Sequence, residues 1–133
     1  MKHIFEVETK RADLERGKDE YTIFSANLLG EITFEDDGIR IEYSDGDIHT
    51  VMTVTEKYVT VYSKGITSSS LVFSLGKHCT GEYSISEGSL QVTTYTYDIT
   101  NTLTEQGGIL RIDYEIDFGG NVCDRSTITY RIK

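Results

Sequence analysis

Residues 109–118 read ILRIDYEIDF, and they decide the fold class. From Leu110 onward every second residue is apolar: Leu110, Ile112, Tyr114, Ile116 and Phe118. Between them stand Arg111, Asp113, Glu115 and Asp117. Successive side chains on a strand point to opposite faces of the sheet, so this alternation predicts one face in a core and one in water. What the apolar face covers, a solid core or a cavity, is the question the pattern leaves open.

The same period extends in both directions. HIFEVETK (3–10) sets Phe5 and Val7 against Glu6 and Glu8. EYTIFSANLLGEITFE (20–35) favours strand throughout, and Gly30 within it predicts a bend or bulge. IRIEY, IHTVMTVT, YVTVYS, SLVFSL and GEYSIS follow, separated by turn residues at DDG (36–38), SDGD (44–47), KG (64–65), GK (76–77) and EG (87–88). SLVFSL puts Leu71, Phe73 and Leu75 on one face. Asp45-Gly46 is the clearest hairpin signal, since glycine suits the positive φ of a tight turn. SLQVTTYTYDIT (89–100) places Leu90 and Val92 in one phase and Tyr95, Tyr97 and Ile99 in the other, which predicts a bulge near Thr93 or a strand buried on both faces. STITYRIK (126–133) aligns Ile128, Tyr130 and Ile132. Only RADLERGKDE (11–20) offers a turn or two of helix.

The count is about 8–10 strands at the spacing of an all-β domain. Strands joined by tight turns form a meander, and a meander this long has to hide its edges. The expectation is a single domain over residues 1–133, an antiparallel up-and-down β-barrel, with a two-sheet β-sandwich as the alternative.

Charge narrows the partners. Twenty-two acidic residues face thirteen basic ones, for a formal charge of −9, which repels phosphate backbones and anionic lipid. Lys10, Arg11, Arg16 and Lys18 are interleaved with Asp13, Glu15, Asp19 and Glu20, a pattern expected of a solvated loop. No nucleic-acid or membrane partner is expected. The start of the chain has no apolar run of the kind a signal peptide carries, and no stretch has the ~20 apolar residues of a membrane helix, so the expected setting is cytoplasmic. Cys79 and Cys123 are then expected to be free thiols.

Reactive constellations are scarce. The histidines are His3, His49 and His78. His78 and Cys79 are adjacent, so on a strand they face opposite ways, and only a turn would let them share a site. Asp45 and Asp47 lack the spacing of a calcium loop and read as a hairpin turn. Glu6 with Glu8, and Asp113, Glu115 and Asp117, occupy polar phases that face water. No metal, cofactor or catalytic residue is expected, and the protein is read as not an enzyme.

Aromatic residues in apolar phases are the remaining asset. Phe34, Tyr43, Phe73, Tyr83, Tyr114 and Tyr130 are the candidate lining of a ligand cup, or else members of a packed core. A small hydrophobic or amphipathic ligand is the expected partner. The alternative is a solidly packed barrel that works as a protein-interaction module, through a second copy or another protein, with Tyr58, Tyr62 and Tyr95 on its outer face.

The succession from Ser70 to Gly120, carried by Phe73, Gly76, Gly81, Tyr83, Gly88, Leu90, Thr96, Gly108, Leu110, Tyr114 and Gly119, resembles the YwiB-like family of small bacterial domains of unknown function, and the likeness covers most of the chain, more loosely before Lys57. The resemblance implies a calycin-like, lipocalin-like barrel and brings no catalytic residues. Fatty-acid-binding barrels hold a carboxylate with an inward Arg-x-Tyr pair. Tyr130 and Arg131 here are adjacent, so they are expected on opposite faces.

Overall fold

Ten strands form an antiparallel meander: β1 (Lys2–Ala12), β2 (Tyr21–Glu35), β3 (Gly38–Asp45), β4 (Ile48–Val54), β5 (Val59–Lys64), β6 (Ser68–Phe73), β7 (His78–Ile85), β8 (Gly88–Asn101), β9 (Gly108–Asp117) and β10 (Cys123–Ile132). This is a computed structural model, and it describes residues 2–12, 21–118 and 123–132. Each strand pairs with its neighbours in the chain, and β1 pairs with both β2 and β10, which closes the sheet into a barrel. Closure satisfies the edges that a ten-stranded open sheet would expose, and it excludes the two-sheet sandwich. Among the described residues, no helix is long and apolar enough to cross a membrane.

The decisive stretch lies on β9 with its apolar phase inward. Leu110 and Ile112 are fully buried and Ile116 nearly so. The outward phase is tied to neighbouring strands: Arg125 forks onto Asp113 at 3.3 and 3.2 Å, and the Tyr97 hydroxyl donates to Glu115 at 3.2 Å.

Four expectations require correction. Gly30 marks no bulge in the pairing of β2 with β1, whose register runs through it unbroken, and it stands at the end of the pairing of β2 with β3. Its role is close approach: a Cβ there would stand 2.4 Å from the Phe5 ring and 2.5 Å from the Glu42 carbonyl oxygen. The bulge of β8 lies between Thr96 and Asp98, not near Thr93. Val92, Thr94 and Thr96 therefore keep one inward phase, Tyr95 and Tyr97 face outward, and Ile99 returns inward beyond the bulge. Leu75 lies past the end of β6, bridged to Thr96, and is exposed. Lastly, Lys10 and Arg11 belong to β1 rather than to a solvated loop; Arg16, Lys18 and the rest of 13–20 lie outside the described residues, as do Gly119, Gly120 and the side chains of His3 and Cys123. The SDGD hairpin forms as expected, with Gly46 at φ 60° as the first of two turn residues between Asp45 and Ile48.

The barrel has two unlike ends. The base carries the β2–β3, β4–β5, β6–β7 and β8–β9 connections, and the crown carries the others. The base half is packed with side chains: Phe5, Ile32, Met52, Val59, Phe73 and Ile132 belong to one buried cluster, and Leu103 joins it from the β8–β9 connection. Each such side chain contributes about 1.5–3 kcal/mol by leaving water.

Candidate functional site

Following the inward row of β1 and β10 from base to crown shows how the site arises. Opposed pairs run Phe5 with Ile132, Val7 with Tyr130, Thr9 with Ile128, and Arg11 with Ser126. Asp124 continues the row on β10. The inward phase thus turns from apolar to polar along two adjacent strands, and it ends in an ion pair between Arg11 and Asp124. Asp124 and Ser126 are buried, while the Arg11 side chain is half exposed at the crown.

Across the barrel the wall stays apolar. Leu71 on β6, Tyr83 on β7, Val92 on β8, and Ile116 and Phe118 at the end of β9 face the polar strip. Thr9 and Ser69 complete the lining, with Tyr114 between the two walls. Together they enclose a cup of about 230 Å³ open toward the crown. That space equals about eight waters of liquid volume. Tyr83 and Phe118 meet edge to face at 6.5 Å, forming one lip.

Hydroxyl groups finish the interior. The Tyr114 hydroxyl faces Ser126 at the cup wall. Deeper, the Tyr43 and Tyr130 hydroxyls stand 3.2 Å apart, and the nearby Thr50 hydroxyl bonds that of Ser63 at 2.9 Å. Burial pushes the phenol pKa of Tyr114 and of Tyr43 up, and that of fully buried Tyr130 well up, so all three are neutral donors.

The six aromatic candidates do not share one place. Tyr83 and Tyr114 line the cup. Tyr43, Phe73 and Tyr130 are interior side chains of the core and its margin. Phe34 stands at the base, partly exposed, beside an open acidic groove with Asp36, Asp37 and Tyr58. Of the outer tyrosines, Tyr58 and Tyr62 are exposed, and Tyr95 stacks between His78 at 4.7 Å and Tyr97 at 4.9 Å. His78 is thus on the outer face, and Cys79, its neighbour on β7, is a partly buried free thiol. Tyr130 points inward and Arg131 outward to Glu6 at 3.0 Å. Among the described residues no group of His, Cys, Asp and Glu side chains is placed to hold a metal ion.

Arg11, Asp124 and Ser126 are the site residues that composition hides. The available signal is phase: Phe5 and Val7 point inward, so Thr9 and Arg11 do too, and Tyr130 and Ile128 carry the same inference back to Ser126 and Asp124.

A family model described as a domain of unknown function (DUF1934) matches residues 6–132. Among solved structures, the crystal structure of the ywiB protein from Bacillus subtilis matches with a TM-score of 0.72 at 22% identity, covering 99% of this chain and 93% of that one, a likeness of fold. No curated protein matches.

Proposed function

The chain belongs to this family of domains of unknown function, so its activity has to be read from the barrel, and we propose that it is a non-enzymatic protein binding one small amphipathic molecule in the crown cup. The observation that carries this reading is the division of one interior into a packed base and a lined cup with an apolar wall facing a polar strip. A filled barrel needs no buried carboxylate on its inward face, since desolvating a charge costs more than packing an apolar residue of similar size, and here Asp124 is buried there against a half-exposed Arg11. The charged groups of the cup are bonded to each other, and His49 and His78 are exposed, outside the cup. Among the described residues, no cysteine, histidine or lysine side chain lines the cup to act as nucleophile or base, which supports binding rather than catalysis. The free thiol of Cys79 accords with a reducing, cytoplasmic setting.

Native mass spectrometry of gently purified protein tests the reading, with Val92→Trp as the comparison. Val92 is fully buried on the cup's wall, and an indole there fills much of the space. The expected result is a stoichiometric small-molecule mass on the parent protein that is missing from the folded variant. A bare parent mass, or the same adduct on both, contradicts it.

A further inference from the structure

We infer that the cup selects an uncharged amphiphile, one whose head is a hydroxyl, amide or carbonyl, over the carboxylate or ammonium compound of the same shape. The inference rests on the proposed binding function and specifies its ligand. Arg11 is the cation of the cup's lining, and at first sight it invites an anion. Its guanidinium is already bonded to Asp124, whose carboxylate is buried at the same end of the strip. Arg11 lines the cup and Asp124 stands behind it, bonded to it, so a charged head in the cup feels the attraction of one partner offset by the repulsion of the other and little net Coulombic gain remains. It would also surrender its hydration on entering a cup whose facing wall is Leu71, Val92, Ile116 and Phe118.

A neutral head avoids that loss and still finds partners. A guanidinium has five N–H donors, and more than one remains beyond the bond to Asp124. The Tyr114 and Ser126 hydroxyls, both in the lining, offer acceptor lone pairs. A hydroxyl head can therefore accept from Arg11 and donate to Ser126 or Tyr114, with its hydrocarbon body against the opposite wall. The net charge of −9 adds a general bias against anions. Ile85 and Leu90 continue the inward phases of Tyr83 and Val92 toward the crown and are exposed, giving the hydrocarbon body an apolar approach.

The test is calorimetric titration at pH 7 with cyclohexylmethanol, cyclohexanecarboxylate and cyclohexylmethylamine, probes of matched size. The alcohol is expected to bind about tenfold or more tightly than either charged probe. In Asp124→Asn, Arg11 loses its neutralising partner, and the carboxylate is expected to overtake the alcohol; Asp124→Ser serves the same purpose should the amide disturb folding. Equal affinities, or a parent protein that prefers the carboxylate or the amine, overturn the selectivity while leaving the cup as a binding site. Failure of all three probes to bind overturns the binding function itself, and the selectivity with it.

Discussion

Tyr130 shows how one residue carries the consequences of its depth. It is about 1% exposed, its hydroxyl meets that of Tyr43, and burial holds its phenol neutral far above the ordinary range. Tyr43 and Tyr114 share the direction of that shift. The folded pKa of each lies above its unfolded value of 10.0, so unfolding releases protons at high pH. Their contribution is fully present below pH 10 and is lost as pH rises beyond it toward the folded values. Denaturant midpoints measured from pH 8 to 12 should be flat and then fall, and tyrosinate absorbance from these three phenols should appear at higher pH in the folded than in the denatured protein. Tyr130→Phe should lower stability at pH 8 by about 1 kcal/mol, the worth of one hydrogen bond, and make the alkaline fall shallower. Tyr130 was readable as an inward residue from its phase alone. Its hydroxyl partner was not, because pairing across the barrel depends on strand positions that alternation does not encode. Arg11 was hidden for another reason: a cation among alternating acids resembles solvated chain until the phase of Phe5 and Val7 is carried forward to it.

At the scale of elements, the join of β6 to β7 is the irregular one. Its register pairs only Ser68, Ser69 and Ser70 with Ser84, Tyr83 and Glu82. Below that point β6 turns toward β8: the Thr94 hydroxyl donates to the Val72 carbonyl at 2.6 Å, and the Gly76 amide donates to the Thr96 carbonyl at 2.9 Å. Side chain and loop thus replace missing ladder bonds. Thr96, two residues along on the same inward phase, is fully buried, and its hydroxyl has no partner among the described residues. The same substitution should therefore act with opposite sign at the two positions. Thr94→Val strands the Val72 carbonyl and should cost about 1–3 kcal/mol, whereas Thr96→Val removes an unsatisfied hydroxyl and should stabilise by about 1 kcal/mol, both read from chemical denaturation. The bulge after Thr96 explains why β8 misled the reading of its pattern. Tyr95 and Tyr97 look like an apolar phase, yet they stack outward with His78 and Arg125, whose guanidinium lies 4.2 Å from the Tyr97 ring centre. Alternation reports a large side chain without saying whether a core or a surface stack receives it.

For the whole molecule, closure was legible because a long meander of alternating strands has no other economical way to hide its edges, and ILRIDYEIDF displayed the alternation plainly. The two unlike halves were not legible. Whether an apolar face meets side chains or space depends on the sizes of residues from several strands at one height. At the base, Phe5, Met52 and Phe73 fill the interior together with Leu103. At the crown, the inward positions of β1, β6 and β10 are Thr9, Ser69 and Ser126, which are too short to reach the middle, and Arg11 is drawn aside by Asp124. A cup results without any strand departing from the barrel.

Methyl-resolved NMR during titration with cyclohexylmethanol tests this division most directly. Saturable shifts at Leu71, Val92 and Ile116, with Ile32, Met52 and Ile132 unmoved, are the predicted result. Shifts spread evenly over both sets, or none at the cup methyls up to the solubility of the alcohol, would contradict the account.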